Sequence, residues 1–143
     1  MRTVEEMRQL GEEIAAKLQA GDVIVLHGPL GAGKTALTQG IGVGLGITGV
    51  TSPTFVISRI HQGRLRLNHV DAYRLLGVDK SAFQFDDLDL ETANAVTVIE
   101  WGESIVERLS SEYLEISIDF GAEENERILN ATAHGARWQG FTL

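Results

Sequence analysis

Val23-Ile24-Val25-Leu26-His27-Gly28-Pro29-Leu30-Gly31-Ala32-Gly33-Lys34-Thr35 changes character twice within a short span. Val23 to Leu26 is a continuous apolar run rich in β-branched residues, the pattern of a strand buried on both faces. Gly28 to Thr35 fits G-x-x-x-x-G-K-[ST] at every fixed position. From Lys34 to about Leu45 the chain reads as a helix, weakened by Gly40, Gly42 and Gly44 but suited by them to close packing. Strand, glycine turn and helix in that order make a phosphate-binding loop. Glycines let the backbone curl so that successive N–H groups point inward, and the helix N-terminus adds partial positive charge. Lys34 then reaches the β- and γ-phosphates, and the Thr35 hydroxyl binds Mg2+. From average residue usage, a chance match arises in about one chain of this length in several hundred. A rival pattern overlaps it: Gly31-x-Gly33-x-x-Ala36 meets the relaxed dinucleotide fingerprint. That pattern needs an acid about 20 residues on, and Thr54 to Ser58 holds none.

On the N-terminal side, Thr3 and Glu6 form a capping box. Val4, Met7, Leu10, Ile14 and Leu18 follow at helical spacing until Gly21. On the C-terminal side, Thr51-Ser52-Pro53-Thr54 is a loop. Phe55 to Ile60 and Leu65 to Val70 are strands, joined by His61 to Arg64 as an antiparallel hairpin. Leu75 to Leu90 is acidic and irregular. Ala95 to Ile99 is a second buried-type strand and ends in Glu100. Ser104 to Leu109 is helical. Tyr113 to Phe120 alternates as a half-buried strand, and Arg127 to Ala133 is a strand after a turn at Gly121 to Glu126. This order predicts an α/β chain: a three-layer P-loop NTPase fold with a mixed central sheet and flanking helices.

The whole chain, 143 residues, is read as one domain. Its composition, 43% hydrophobic and 22% charged, is that of a globular protein. It has no cysteine, which excludes disulfides, thiolate zinc sites and thiol nucleophiles and suits a reducing cytoplasm. The N-terminus lacks the apolar core of a signal peptide. The uncharged run from Thr35 to Ser58 holds five glycines and a proline, so it is not a membrane helix. A net charge of −8 weighs against an extended phosphate-binding face. Any nucleic-acid role therefore runs through a partner or a small local patch.

A P-loop needs an acid for its magnesium, usually at the end of a buried strand. Glu100 and Asp71 both qualify. Each could bind metal directly, bind it through water, or orient the attacking water. Asp86, Asp87 and Asp89 read as a solvated acidic loop. Thr51 to Thr54 stands where P-loop enzymes often hold a switch loop, and its hydroxyls could sense the γ-phosphate or metal. His69 shares a strand face with Asp71, and packing or hydrogen bonding suits it better than base catalysis. Arg74 suits a phosphate contact or a surface salt bridge equally. Trp101 suits the core better than stacking on a ring.

Leu30-Gly31-Ala32-Gly33-Lys34-Thr35, Ser52-Pro53-Thr54-Phe55, His69-Val70-Asp71-Ala72-Tyr73-Arg74-Leu75 and Val98-Ile99-Glu100-Trp101 together resemble the TsaE family in order and spacing. TsaE proteins are small bacterial ATPases of tRNA threonylcarbamoyladenosine biosynthesis. The resemblance runs from about residue 3 to residue 127. It implies a cytoplasmic ATPase that uses ATP and Mg2+ and acts with two protein partners, which modify adenosine 37 of tRNA. It would touch tRNA only through that complex, and hydrolysis would sustain repeated turnover. The resemblance further implies that Thr35 and Glu100 hold magnesium and that Asp71 serves hydrolysis. Thr51 and Ser52 would lie in the switch loop, and Trp101 and Glu103 near the nucleotide. Pro29 stands where the family usually has Asp, and Ala36 where a second Thr is common. Neither change removes a phosphate or metal ligand. Two other functions fit a P-loop chain: a kinase of a small molecule or nucleotide, and a nucleotide-dependent adaptor without significant hydrolysis. A kinase needs an acceptor pocket and usually a lid, for which this length leaves little room.

Overall fold

The computed structural model describes residues 4–29, 33–47, 58–61, 65–71, 95–100, 112–123 and 126–141, with the backbone alone at residues 4, 58–61 and 71. Helix α1 spans Val4–Ala15, strand β1 Val23–His27 and helix α2 Lys34–Gly44. Strands β2 (Ser58–His61), β3 (Arg66–Asp71), β4 (Ala95–Glu100), β5 (Tyr113–Phe120) and β6 (Arg127–His134) follow. A short 3-10 turn at Ala136–Trp138 comes last.

The strands form one sheet in the order β2-β3-β4-β1-β5-β6. β1 lies between two parallel neighbours, β4 and β5. β3 is parallel to β4, while β2 and β6 run antiparallel at the two edges. The sheet is therefore mixed, with a parallel centre. The expected hairpin is β2–β3, but His61 belongs to the strand and not to its turn, and Asp71 is the last residue of β3.

Period-2 alternation sorts the central strands into two faces. Ile24 and Leu26 of β1, Val96 and Val98 of β4, and Leu114 and Ile116 of β5 share one apolar cluster with α1 and α2. On the opposite face Val23, Val25, Val70 and Ile99 are buried as well. Both faces of β1 and β4 are thus removed from water, as a near-continuous apolar sequence requires. Asn68 and Thr97 occupy this second face and satisfy each other, with Asn68 Nδ2 donating to Thr97 Oγ1 at 3.3 Å. Leu18, which continues the apolar spacing of α1, lies past the helix end yet is buried, because turn hydrogen bonds carry the chain back over the core.

The C-terminal turn is the feature that the sequence pattern did not disclose. Trp138 is buried at 1% exposure and packs edge-on to Phe141, with ring centroids 5.4 Å apart. Beside it, Arg137 grips Asp22 at the entrance to β1. Nε donates to Oδ1 at 2.9 Å and Nη2 to Oδ2 at 2.8 Å, while Nη2 also reaches the Lys17 carbonyl at 3.1 Å. Asp22 is nearly fully buried and accepts one further hydrogen bond, from the Gln19 N–H. Removing Arg137 leaves that carboxylate buried with little compensation. Arg137→Ala is therefore expected to lower stability by about 2 kcal/mol. Urea titration measures it, and the Asp22→Ala, Arg137→Ala double variant should lose less than the two single losses added.

Candidate functional site

The parallel strands β3, β4 and β1 end on one side of the sheet, the side at which the glycine turn joins β1 to α2. This is the side on which α/β sheets bind ligands. Gly28 follows β1 directly. A Cβ on it would overlap the carbonyl oxygen of Ile118 on the neighbouring strand, so the sheet itself demands glycine there. Gly33 caps α2 in the left-handed conformation, with φ 115°, and offers no side-chain hydrogen bond to the helix. The first N–H groups of α2 are thus not satisfied by a capping side chain at that position, the arrangement that serves an anion.

Lys34 is the first residue of α2 and is 6% exposed. Its Nζ donates to the carbonyls of Gly28, at 2.7 Å, and Pro29, at 3.0 Å. The ammonium is therefore folded over its own loop. Thr35, next along the helix, is half-buried. Thr38, one turn further, donates its hydroxyl to the Lys34 carbonyl at 2.9 Å.

Glu100 ends β4 beside β1, in register with Leu26. At 4% exposure it is a buried carboxylate and not a surface acid. On its other side the register sets it against Asp71, so the two candidate acids end adjacent strands. Glu100 Oε2 lies 2.7 Å from His69 Nε2. Among the described residues no donor occupies Oε1. His69 is fully buried, and its Nδ1 has no hydrogen-bond partner. The expectation that His69 packs or hydrogen-bonds holds; its attachment to Glu100 is new. The sequence shows both as polar residues near the ends of strands, but nothing in it set their register.

Leu30, Gly31, Ala32, Thr51, Ser52, Trp101 and Glu103 lie outside the described residues, as do Tyr73 and Arg74. The site thus brings together Gly28, Gly33, Lys34, Thr35, Asp71 and Glu100 at one end of the sheet. Among the described residues no group of three or more His, Asp or Glu side chains gathers to hold a metal alone. A divalent cation here would need further ligands, such as phosphate oxygens and water. Mg2+ is usually bound in this way, through one or two protein oxygens. The hard oxygens of Thr35 and Glu100 suit it.

A sequence model of the family described as "Threonylcarbamoyl adenosine biosynthesis protein TsaE" matches residues 1–129. The chain belongs to the TsaE family. Among its relatives, the tRNA threonylcarbamoyladenosine biosynthesis protein TsaE of Streptomyces coelicolor is 48% identical over 141 residues, covering 92% of this chain and 93% of that protein. The TsaE protein of Bacillus subtilis is 41% identical, covering 96% and 87%. The crystal structure of Bacillus subtilis YdiB superposes with a TM-score of 0.78 at 36% identity, covering 96% of this chain and 85% of that one. The P-loop α/β fold read from the sequence is therefore the fold of the molecule. This TsaE protein is tied by its family to tRNA threonylcarbamoyladenosine biosynthesis. Among the described residues no helix is long and apolar enough to cross a membrane.

Proposed function

We propose that this TsaE protein is a cytoplasmic Mg2+-dependent ATPase of low intrinsic activity that sustains tRNA threonylcarbamoylation in concert with two protein partners. The observation that carries the reading is the buried Glu100 carboxylate, which ends the strand beside β1 on the same side of the sheet as Lys34. A buried carboxylate is costly unless something compensates it. A cation shared with ATP phosphates would supply that compensation.

In this reading the N-terminus of α2 and the loop amides bind the phosphates, and Lys34 neutralises the β- and γ-oxygens. Thr35 and Glu100 hold Mg2+, which when bound screens the charge that develops on the transferred phosphoryl group. Asp71 accepts the proton of the attacking water or orients it. Thr51 and Ser52 sense the γ-phosphate, and Trp101 and Glu103 lie beside the nucleotide. Domain 1–143 works as one unit. A partner that completes the site would raise a low basal rate.

The direct test is reconstituted threonylcarbamoylation of tRNA with the two partners, ATP and Mg2+, followed over many turnovers. Turnover that continues only while this protein is present supports the reading. Turnover indifferent to it, with verified partners, rejects it. Asp71→Asn separates hydrolysis from binding. ATP hydrolysis should fall at least about a hundredfold, while ATP affinity, read by calorimetry, stays within about threefold. An acceptor phosphorylated in step with ADP formation would replace this reading with a kinase.

A further inference from the structure

Full burial of a histidine needs a reason, since an apolar side chain of similar volume would fill the space at less cost. His69 is 0% exposed, yet only one of its two nitrogens is engaged. A carboxylate has no hydrogen to give, so Nε2 donates to Glu100 Oε2 and Nδ1 is the nitrogen left unpaired. The register pairs His69 with Val98 and Asp71 with Glu100. The 2.7 Å contact therefore runs diagonally across β3 and β4, between two residues on one face of the sheet. It fixes a carboxylate that would otherwise be free to turn at the strand end.

We infer that His69 is a positioning residue for the cation site. Its Nε2–H holds Glu100 by Oε2 and leaves Oε1 as the oxygen for the metal. This rests on the proposed metal role of Glu100. Groups that hydrogen-bond to a metal-binding carboxylate typically change metal affinity by about 10- to 100-fold when removed. Loss of the His69 donor should fall in that range, without touching the contacts that bind phosphate.

Mn2+ is the probe. ATP affinity is measured by calorimetry in EDTA and in excess Mn2+, and the ratio is the metal enhancement. His69→Leu is expected to bind ATP in EDTA within about twofold of wild type and to lose roughly tenfold or more of the enhancement. His69→Gln keeps an N–H donor and should recover it to within about threefold. An enhancement lost in Glu100→Ala but intact in His69→Leu overturns the positioning role alone. So does a His69→Leu or His69→Gln protein impaired equally in EDTA and Mn2+, which marks a merely structural side chain. A wild-type protein whose ATP affinity ignores Mn2+ overturns the metal reading and the positioning role with it. Should His69→Leu fail to fold, nitrogen NMR of the wild-type imidazoles decides. The resonance absent from His69→Gln must be the Nε2–H tautomer, and an Nδ1–H tautomer rejects the proposal.

Discussion

Lys34→Ala is expected to abolish measurable ATP hydrolysis while leaving the fold intact. Lys34 is a buried residue at the first position of α2, with its Nζ donating to the loop carbonyls of Gly28 and Pro29. A charge-assisted hydrogen bond to phosphate contributes about 1.5 to 3 kcal/mol, so ATP affinity should drop roughly 10- to 100-fold. The loss in hydrolysis should be larger, at least about a hundredfold beyond the binding defect, because charge grows on the phosphoryl oxygens in the transition state. Lys34→Arg should not restore it. A planar guanidinium does not fit a pocket shaped for a compact ammonium. Thermal unfolding within a few degrees of wild type would confirm that the defect is local. Lys34→Ala with full hydrolysis would remove the phosphate loop from the mechanism.

Gly40→Ala is expected to destabilise the protein, although helix propensity alone argues the reverse. Alanine in a helix interior is favoured over glycine by about 1 kcal/mol. In α2, however, a Cβ on Gly40 would overlap the Arg8 carbonyl oxygen of α1, and Cβ atoms on Gly11 and Gly44 would overlap the Leu37 carbonyl oxygen and the Ala15 Cβ along the same helix pair. At Gly40 the obstacle is backbone, so no side-chain rotation relieves it. The helices must part, and Met7, Leu10 and Ile14 of α1 lose packing with the core. Overpacking of this kind costs about 1 to 3 kcal/mol or more, enough to reverse the propensity gain. A net loss of about 2 kcal/mol would lower the melting temperature by roughly 6 to 8 °C. A rise in melting temperature would mean that the helices are not held this closely.

Residue order makes some parts of the molecule legible and hides others. The motif from Gly28 to Thr35 announces a nucleotide loop because its chemistry is local: the glycines, the lysine and the hydroxyl act within one turn. The buried strands β1 and β4 are legible because parallel strands covered on both faces need unbroken apolar runs. The sheet order is not legible, because β1 pairs with strands that follow it by more than sixty residues. A separation of 31 residues likewise hides the His69–Glu100 contact, which exists only once β3 and β4 take their register. The C-terminal turn escaped for another reason. Its three residues have no period, and their stability comes from Asp22 and the core, far away in sequence. The roles proposed for Thr51 and Ser52 rest on their position after the P-loop helix and on family resemblance, and those proposed for Trp101 and Glu103 on family resemblance alone.

The placement of β1 between β4 and β5 also governs how the molecule is made. A ribosome that has delivered residues 1–94 has produced the complete phosphate motif but neither strand that walls β1. Non-local pairing of this kind delays folding, because long loops must close before any contact rewards them. β4 can join β1 only after Glu100 emerges, and β5 only after Phe120. The Arg137 grip on Asp22 waits for the last turn. Nascent chains should therefore ignore ATP until synthesis is nearly complete. The binding site is an attribute of the finished topology, and no amino-terminal fragment inherits it by carrying the motif.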